Sequence, residues 1–250
     1  MDIKELEAIA KLHQRVKNGE MDFAKYTLYA ITHHSTAIEG SSLTESQVIN
    51  LLEYGKTASS KPFEHHLMAT DHYKAIQFAI NTAKEKKKIS LAFIQQISSI
   101  LMNNTGGFVN SINGTYDISK GELRLSSVRA GSRTFPDYKK VPTLLQNVIK
   151  ETNLNLEKAS TFEDKCKLAF KLHFDFVSIH PFGDGNGRTS RILMNYVLAY
   201  FNLPLAVVFV GDRLKYLNAL EKTRETEDIK HFYNFMFAQY KKLLTKDLET

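Results

Sequence analysis

One cysteine, Cys166, stands among 250 residues, so no disulfide can form within the chain and a reducing compartment is expected. Cys166 falls on the apolar face of a helical pattern with no basic neighbour placed to activate it, which reads as inert core. Long apolar runs are also lacking. The most apolar stretch, residues 192–210, is broken by Asn195, Asn202 and Pro204, and reads as a buried helix followed by an extended segment rather than a membrane span. The start, MDIKELEAIA, has no basic residues leading into an apolar run, which argues against a signal peptide. A cytoplasmic location with no membrane partner is the expectation. No HExxH occurs. The pairs His33-His34 and His65-His66 diverge around a helix, and His173 and His180 are roughly 10 Å apart by helix rise, too far to share one zinc. Internal repeats, low-complexity tracts and interdomain linkers are missing as well.

A formal charge of +6 raises the possibility of nucleic-acid binding, but no basic face concentrates it. The one dense cluster, Lys84-Glu85-Lys86-Lys87-Lys88, closes a helical pattern, where cations suit the negative end of the helix dipole. No aromatic residues interleave with it as a base-stacking surface requires, so a solvated helix end is the better reading and no nucleic-acid partner is expected.

Hydrophobic residues at 43% and charged residues at 24% are ordinary for a globular protein, and the length allows a substantial core. Helical periodicity runs through nearly all of it. Helices are predicted over 3–17 and 22–39, the second stopped by Gly40. Thr44 with Gln47 forms a capping box for a helix near 45–54. Pro62 fits the first turn of a long helix through Glu85, and Ser90 caps another to about Met102. Residues 103–137 are rich in Gly, Ser and Asn and predict a loop with one hairpin, β-leaning around Leu123 to Val128. Further helices are predicted over 139–151, 161–179, 187–201, 213–223 and 227–245.

Residues 180–191 read HPFGDGNGRTSR. His180 ends an apolar-faced helix and Pro181 stops it; Phe182 is placed to anchor the turn. Gly185, Asn186 and Gly187 make a tight turn into the next helix, where backbone N–H groups and the dipole together suit phosphate. Arg188, Arg191 and Asn195 follow at i, i+3 and i+7 on one face. Two guanidiniums on so apolar a helix need an anionic partner, and arginine matches phosphate oxygens bidentately. Asp184 adds a hard oxygen ligand where Mg²⁺ bridging phosphates would sit. Singly these residues would be a helix cap, a turn and surface ion-pair partners; together, at this spacing, they fit polyphosphate chemistry.

The stretch resembles the Fic family signature, HxFx(D/E)GNGRxxR, at every specified position. GELRLSSVRAG (121–131) is similar to that family's flap, with Arg124 and Val128 where a target-aligning strand falls, and STAIEG (35–40) is similar to its inhibitory motif, with Ser35 and Glu39. The resemblance implies an all-α Fic-fold helical bundle with one short β-hairpin flap. It further implies an N-terminal helical segment (1–60) carrying the inhibitory motif and a catalytic core (61–250), packed as one unit. The implied activity is transfer of AMP from ATP to a Ser, Thr or Tyr hydroxyl of a target protein. His180 would be the general base, Asp184 the Mg²⁺ ligand, Gly185, Asn186 and Gly187 the anion hole, and Arg188 and Arg191 the phosphate partners. Asn195 would line the nucleoside side, Phe182 would be structural, and Glu39 would pair with Arg191 to hold ATP unproductively. Self-modification and a homo-oligomer are further implied. The alternatives are transfer of another nucleotide or of phosphocholine, removal of AMP from a modified protein, and a catalytically silent nucleotide-binding scaffold.

Overall fold

The computed structural model describes residues 2–16, 23–130 and 133–249; Lys17, Asp22 and Gly131, at the edges of predicted elements, lie outside them. Ten helices dominate the described residues: α1 (Ile3–Val16), α2 (Phe23–Ile38), α3 (Glu45–Tyr54), α4 (Phe63–Lys84), α5 (Leu91–Leu101), α6 (Val141–Lys158), α7 (Phe162–Ile179), α8 (Asn186–Tyr200), α9 (Arg213–Thr226) and α10 (Lys230–Glu249). Short antiparallel hairpins are formed by β1 (Phe108–Ser111) with β2 (Gly114–Asp117), and by β3 (Arg129–Ala130) with β4 (Arg133–Thr134). The all-α expectation with a short hairpin holds, and a second hairpin joins it.

The centre is α8. Ile192 to Leu198, apolar apart from Asn195, are all fully buried, so this helix is covered on every side and has to lie inside a shell of other helices. Helices α7, α4, α5 and α2 supply that shell. Each fully buried Leu or Ile side chain contributes about 1.5–3 kcal/mol, which makes α8 a rigid base for whatever its first turn carries. After α8, the extended residues 203–209 are stitched to the core. Tyr240 donates to the Pro204 carbonyl at 2.6 Å and Phe209 N–H donates to Gln239 Oε1 at 2.9 Å.

Local signals behave as their chemistry dictates. Thr44 and Gln47 make both bonds of the capping box, and Ser90 Oγ accepts from Phe93 N–H. Helix α4 starts one residue after Pro62 and ends at Lys84. Cys166 is buried, and burial pushes its thiol well above the ordinary value. Two expectations are corrected. Helix α6 runs seven residues past its predicted end, to Lys158, because buried Thr152 continues the apolar stripe from Val148 to Leu156. Residues 123–128 are not strand; β1–β2 precedes them and β3–β4 follows.

Candidate active site

Helix α7 delivers the histidine. It ends at His180, which adopts the left-handed conformation (φ 55°, ψ 60°) while its N–H donates to the Phe176 carbonyl at 3.0 Å. A non-glycine residue there costs on the order of 1 kcal/mol, and Pro181 prevents the helix from continuing. Phe182 is fully buried. Asn186 clasps its backbone from both sides, accepting from Phe182 N–H at 2.9 Å and donating to its carbonyl at 2.9 Å. Gly185 caps α8 at φ 78° with the Met102 side chain pressed against it, a place where only glycine fits without strain. The first intrahelical bond of α8 runs from Thr189 N–H to the Gly185 carbonyl, so the N–H groups of Asn186, Gly187 and Arg188 lie ahead of it and face outward.

Arg188 and Arg191 are each 2% exposed. Arg188 Nη2 lies 3.1 Å from Asp184 Oδ2, while its Nε and Nη1 are buried with no hydrogen-bond partner. Arg191 donates to Ser35 Oγ (2.9 Å), the Ser35 carbonyl (3.0 Å) and Glu39 Oε1 (2.6 Å), and its Nη1 is buried and unpartnered. Buried guanidinium N–H groups without acceptors are costly; three such atoms in two neighbouring arginines mark a place built for an anion. Ser35 and Glu39 reach Arg191 because α2 packs against α8 and stops at Ile38. Arg213 holds that stop, donating from Nε to the Ile38 carbonyl at 2.8 Å. The Glu39 carboxylate then occupies the space a Cβ on Gly187 would need.

His180, Gly187, Arg191 and Glu39 border one cavity of about 610 Å³ together with Phe135 and the α9 residue Tyr216, whereas Arg188 and Asp184 are not among its lining residues. Burial lowers His180 to about 4, with Arg124 adding to the effect and the Val177 backbone, Glu39 and Asp184 opposing it. The imidazole is therefore neutral near pH 7, the form that can accept a proton. Behind Arg191, His173 shares a 2.8 Å hydrogen bond with the Tyr216 hydroxyl. Burial, then the charge of Arg191, holds His173 and His72 well below the ordinary histidine value.

Two expected site residues stand elsewhere. Asn195, placed by sequence beside a nucleoside, is fully buried. Its amide donates to the Arg191 and Ala206 carbonyls at 3.1 and 3.0 Å and accepts from Ala206 N–H at 2.8 Å. It braces the extended segment rather than lining the cavity. Arg124, placed by sequence on a target-aligning strand, is 1% exposed. It donates to the carbonyls of His180 (2.8 Å), Ser126 (2.6 Å) and Pro136 (2.6 Å), so it pins its segment to the end of α7. Val128 precedes β3, its carbonyl accepting from Phe135 N–H at 3.2 Å. Sequence reasoning missed Phe135, Tyr216, Arg133 and Arg213, which also line the cavity. The aromatic residue locked into extended backbone ahead of Pro136 was the one available signal.

The carboxylate of Asp184, 64% exposed, now accepts from Gly185 N–H at 2.6 Å and from Arg188. One exposed carboxylate at the rim of an anion site fits Mg²⁺, which retains waters and takes most other ligands from phosphates.

Residues 88–198 match the Fic/DOC family. The chain carries a Fic domain. The protein adenylyltransferase Fic of Drosophila melanogaster is 30% identical to it over 231 residues, 92% of this chain and 44% of that protein. The protein adenylyltransferase Fic of Aedes aegypti is 29% identical over 232 residues, 92% and 43% of the two chains. The chain thus spans less than half the length of these curated relatives. Among solved structures, a Fic domain containing signaling protein from Bacteroides thetaiotaomicron superposes with a TM-score of 0.82 at 23% identity, covering 99% of this chain and 95% of that one. At that identity the likeness is one of fold. The Fic domain places its signature across the α7–α8 turn, with β3–β4 on one side and α9 on the other.

Proposed function

We propose that this Fic domain is a protein adenylyltransferase, moving AMP from ATP to a side-chain hydroxyl of a target protein, and that Glu39 restrains it. The observation that carries the reading is the buried Arg191 guanidinium, with an unpartnered N–H, sharing one cavity with a neutral imidazole, while Arg188, one helical turn earlier, buries two more unpartnered N–H groups. A triphosphate would take those N–H groups and the first-turn amides of α8.

In this reading the target hydroxyl oxygen attacks the α-phosphorus, the bond from that phosphorus to the oxygen bridging to the β-phosphate breaks, and pyrophosphate leaves. His180 accepts the hydroxyl proton through Nε2, because Nδ1 is sealed from solvent. The Gly185–Gly187 turn holds phosphate oxygens by backbone N–H, and Arg188 and Arg191 balance the charge passing to pyrophosphate. Mg²⁺, held by Asp184 when bound, supplies further charge neutralisation on the phosphates. Asp184 would leave Arg188 to do so, and Arg188 would then turn wholly to the nucleotide. Glu39 competes with the nucleotide for Arg191, so a triphosphate meets a carboxylate where a phosphate oxygen belongs.

The test is retention of α-labelled ATP on protein, by self-modification or in a cell lysate. Glu39→Gly is expected to raise the retained label over the wild-type chain. His180→Ala is expected to abolish it while nucleotide binding persists. Label retained from γ-labelled rather than α-labelled ATP would rule out AMP transfer, and release of AMP from an already modified protein would indicate the reverse reaction.

A further inference from the structure

His180 Nδ1 is sealed from solvent, and the hydrogen-bonding contact of the ring is with the Val177 backbone, not with a side chain. A histidine that works as a base is ordinarily oriented by a hydrogen bond on its second nitrogen; a backbone contact alone leaves room for a second restraint on the ring plane. What touches it is an aromatic face. The Phe135 ring lies 3.9 Å from the imidazole, centroid to centroid, with 23° between the planes. Phe135 is 7% exposed, so it is packed in place. The Arg133 guanidinium lies 4.9 Å from the centroid of the same ring, and its Nη1 lies 3.5 Å from Glu221 Oε2 on α9.

The backbone beneath the two rings is fastened as well. Arg124 bridges the His180 and Pro136 carbonyls, and its own N–H donates to the Pro181 carbonyl at 3.0 Å. The residues that carry the two rings are thereby held side by side. His180 sits one residue past the end of α7 in a left-handed conformation, where helix packing no longer restrains its side-chain torsions.

We propose that Phe135 is a positioning residue for His180: stacking on its ring, beside the Val177 backbone contact, sets the imidazole plane and aims Nε2 into the cavity. This rests on the adenylyl-transfer reading only for what the imidazole does; the stack itself is independent of it. Stacked aromatic pairs contribute beyond their buried area, and the Arg133 cation over the ring adds to its hold. Loss of the stack frees the imidazole to rotate without changing any phosphate contact. The defect therefore falls on kcat and leaves the KM for ATP in place.

Two variants separate the possibilities. Phe135→Leu keeps an apolar side chain and loses the aromatic face, while Phe135→Tyr keeps both. The first readout is the side-chain NMR signal of His180, assigned by its loss in His180→Asn. Its ring protons are expected upfield in the wild-type chain and in Phe135→Tyr, through the ring current, and at ordinary shifts in Phe135→Leu. The second readout is AMP transfer in the Glu39→Gly background. There Phe135→Leu is expected to lower kcat about 10- to 100-fold with KM for ATP within about twofold, and Phe135→Tyr to restore most of it. Thermal midpoints of the variants confirm that each is folded. Ordinary His180 shifts in the wild-type chain, or an undiminished kcat in Phe135→Leu, would overturn the proposal. A Glu39→Gly chain that transfers nothing despite shifted His180 protons would instead refute the adenylyl-transfer reading and leave the stack standing.

Discussion

Glu39 Oε1 lies 2.6 Å from Arg191 Nη2 and directly against Gly187. A carboxylate thus already sits at the first turn of α8, where the helix dipole and the exposed amides favour an anion. Arg191 is 3% exposed at its side chain and Glu39 is 34% exposed, so the acid can leave toward solvent while the arginine cannot.

Glu39→Gln keeps the shape and removes the charge. ATP affinity is expected to rise about tenfold, equivalent to about 1.4 kcal/mol, because a like charge leaves the phosphate site. Calorimetric titration with Mg-ATP decides it, and an unaltered Kd would mean the carboxylate does not compete.

Gly187→Ala puts a methyl group into the space held by the Glu39 carboxylate and 3.3 Å from Arg191 Nη1. It disrupts the ion pair, yet it also fills the approach to the α8 amides. Nucleotide binding is expected to fall at least about tenfold, even when combined with Glu39→Gly, since backbone contact with phosphate needs the bare Cα. Recovery of binding in the double variant would show that the methyl acts only through Glu39.

Asn195→Ala removes three buried hydrogen bonds and strands the Ala206 N–H. A loss of about 2–4 kcal/mol in unfolding free energy is expected from those unmet groups. The folded fraction should bind ATP within about twofold of wild type. A normal melting temperature with lost nucleotide affinity would return Asn195 to the ligand site.

Acid should loosen this protein before its carboxylates titrate. His72 and His173 are fully buried, with burial the chief cause of their depressed values. A histidine whose folded value lies below its unfolded 6.5 gives full stability above that pH and loses it as the pH falls. Each fully buried one removes up to about 1.4 kcal/mol per pH unit below 6.5. His34, lowered to about 3, and His180, lowered to about 4, act in the same direction. Urea midpoints are expected to be level from pH 7 to 8 and to fall steadily from pH 6.5 to 5. Replacing His173 with Gln should flatten that fall.

The meeting of His180 and Arg191 on one cavity was legible in the sequence because a fixed spacing on a helix start determines which groups face one way. The same spacing put Asn195 on that face. What lies opposite depends on residues 203–209, which return to α8 only in the folded chain, so the hydrogen bonds between Asn195 and Ala206 are not legible in the spacing. Arg124 fell for a similar reason. Its β-leaning neighbours suggest a strand, whereas the backbone carbonyls of nearby Ser126 and of the more remote Pro136 and His180 claim its guanidinium. The hairpin at 108–117 turns on Ile112-Asn113, with Gly114 already paired to Ser111 in β2, so the Asn113-Gly114 dipeptide, which suits the two central positions of a tight turn, marks the hairpin but not its register. Phe135 and Tyr216 reach the site from remote segments; beyond the proline that follows Phe135, no local pattern announces such contacts.

The double clasp of Asn186 on Phe182 closes the signature turn before any ligand arrives. A turn so fixed cannot mould itself to its guest, so adjustment falls to the two side chains whose present partners must give way, Arg191 and Arg188. On the proposed reading, arrival of nucleotide is an exchange of carboxylates for phosphates around a stationary frame, governed by the ease of that exchange and not by any reshaping of the backbone.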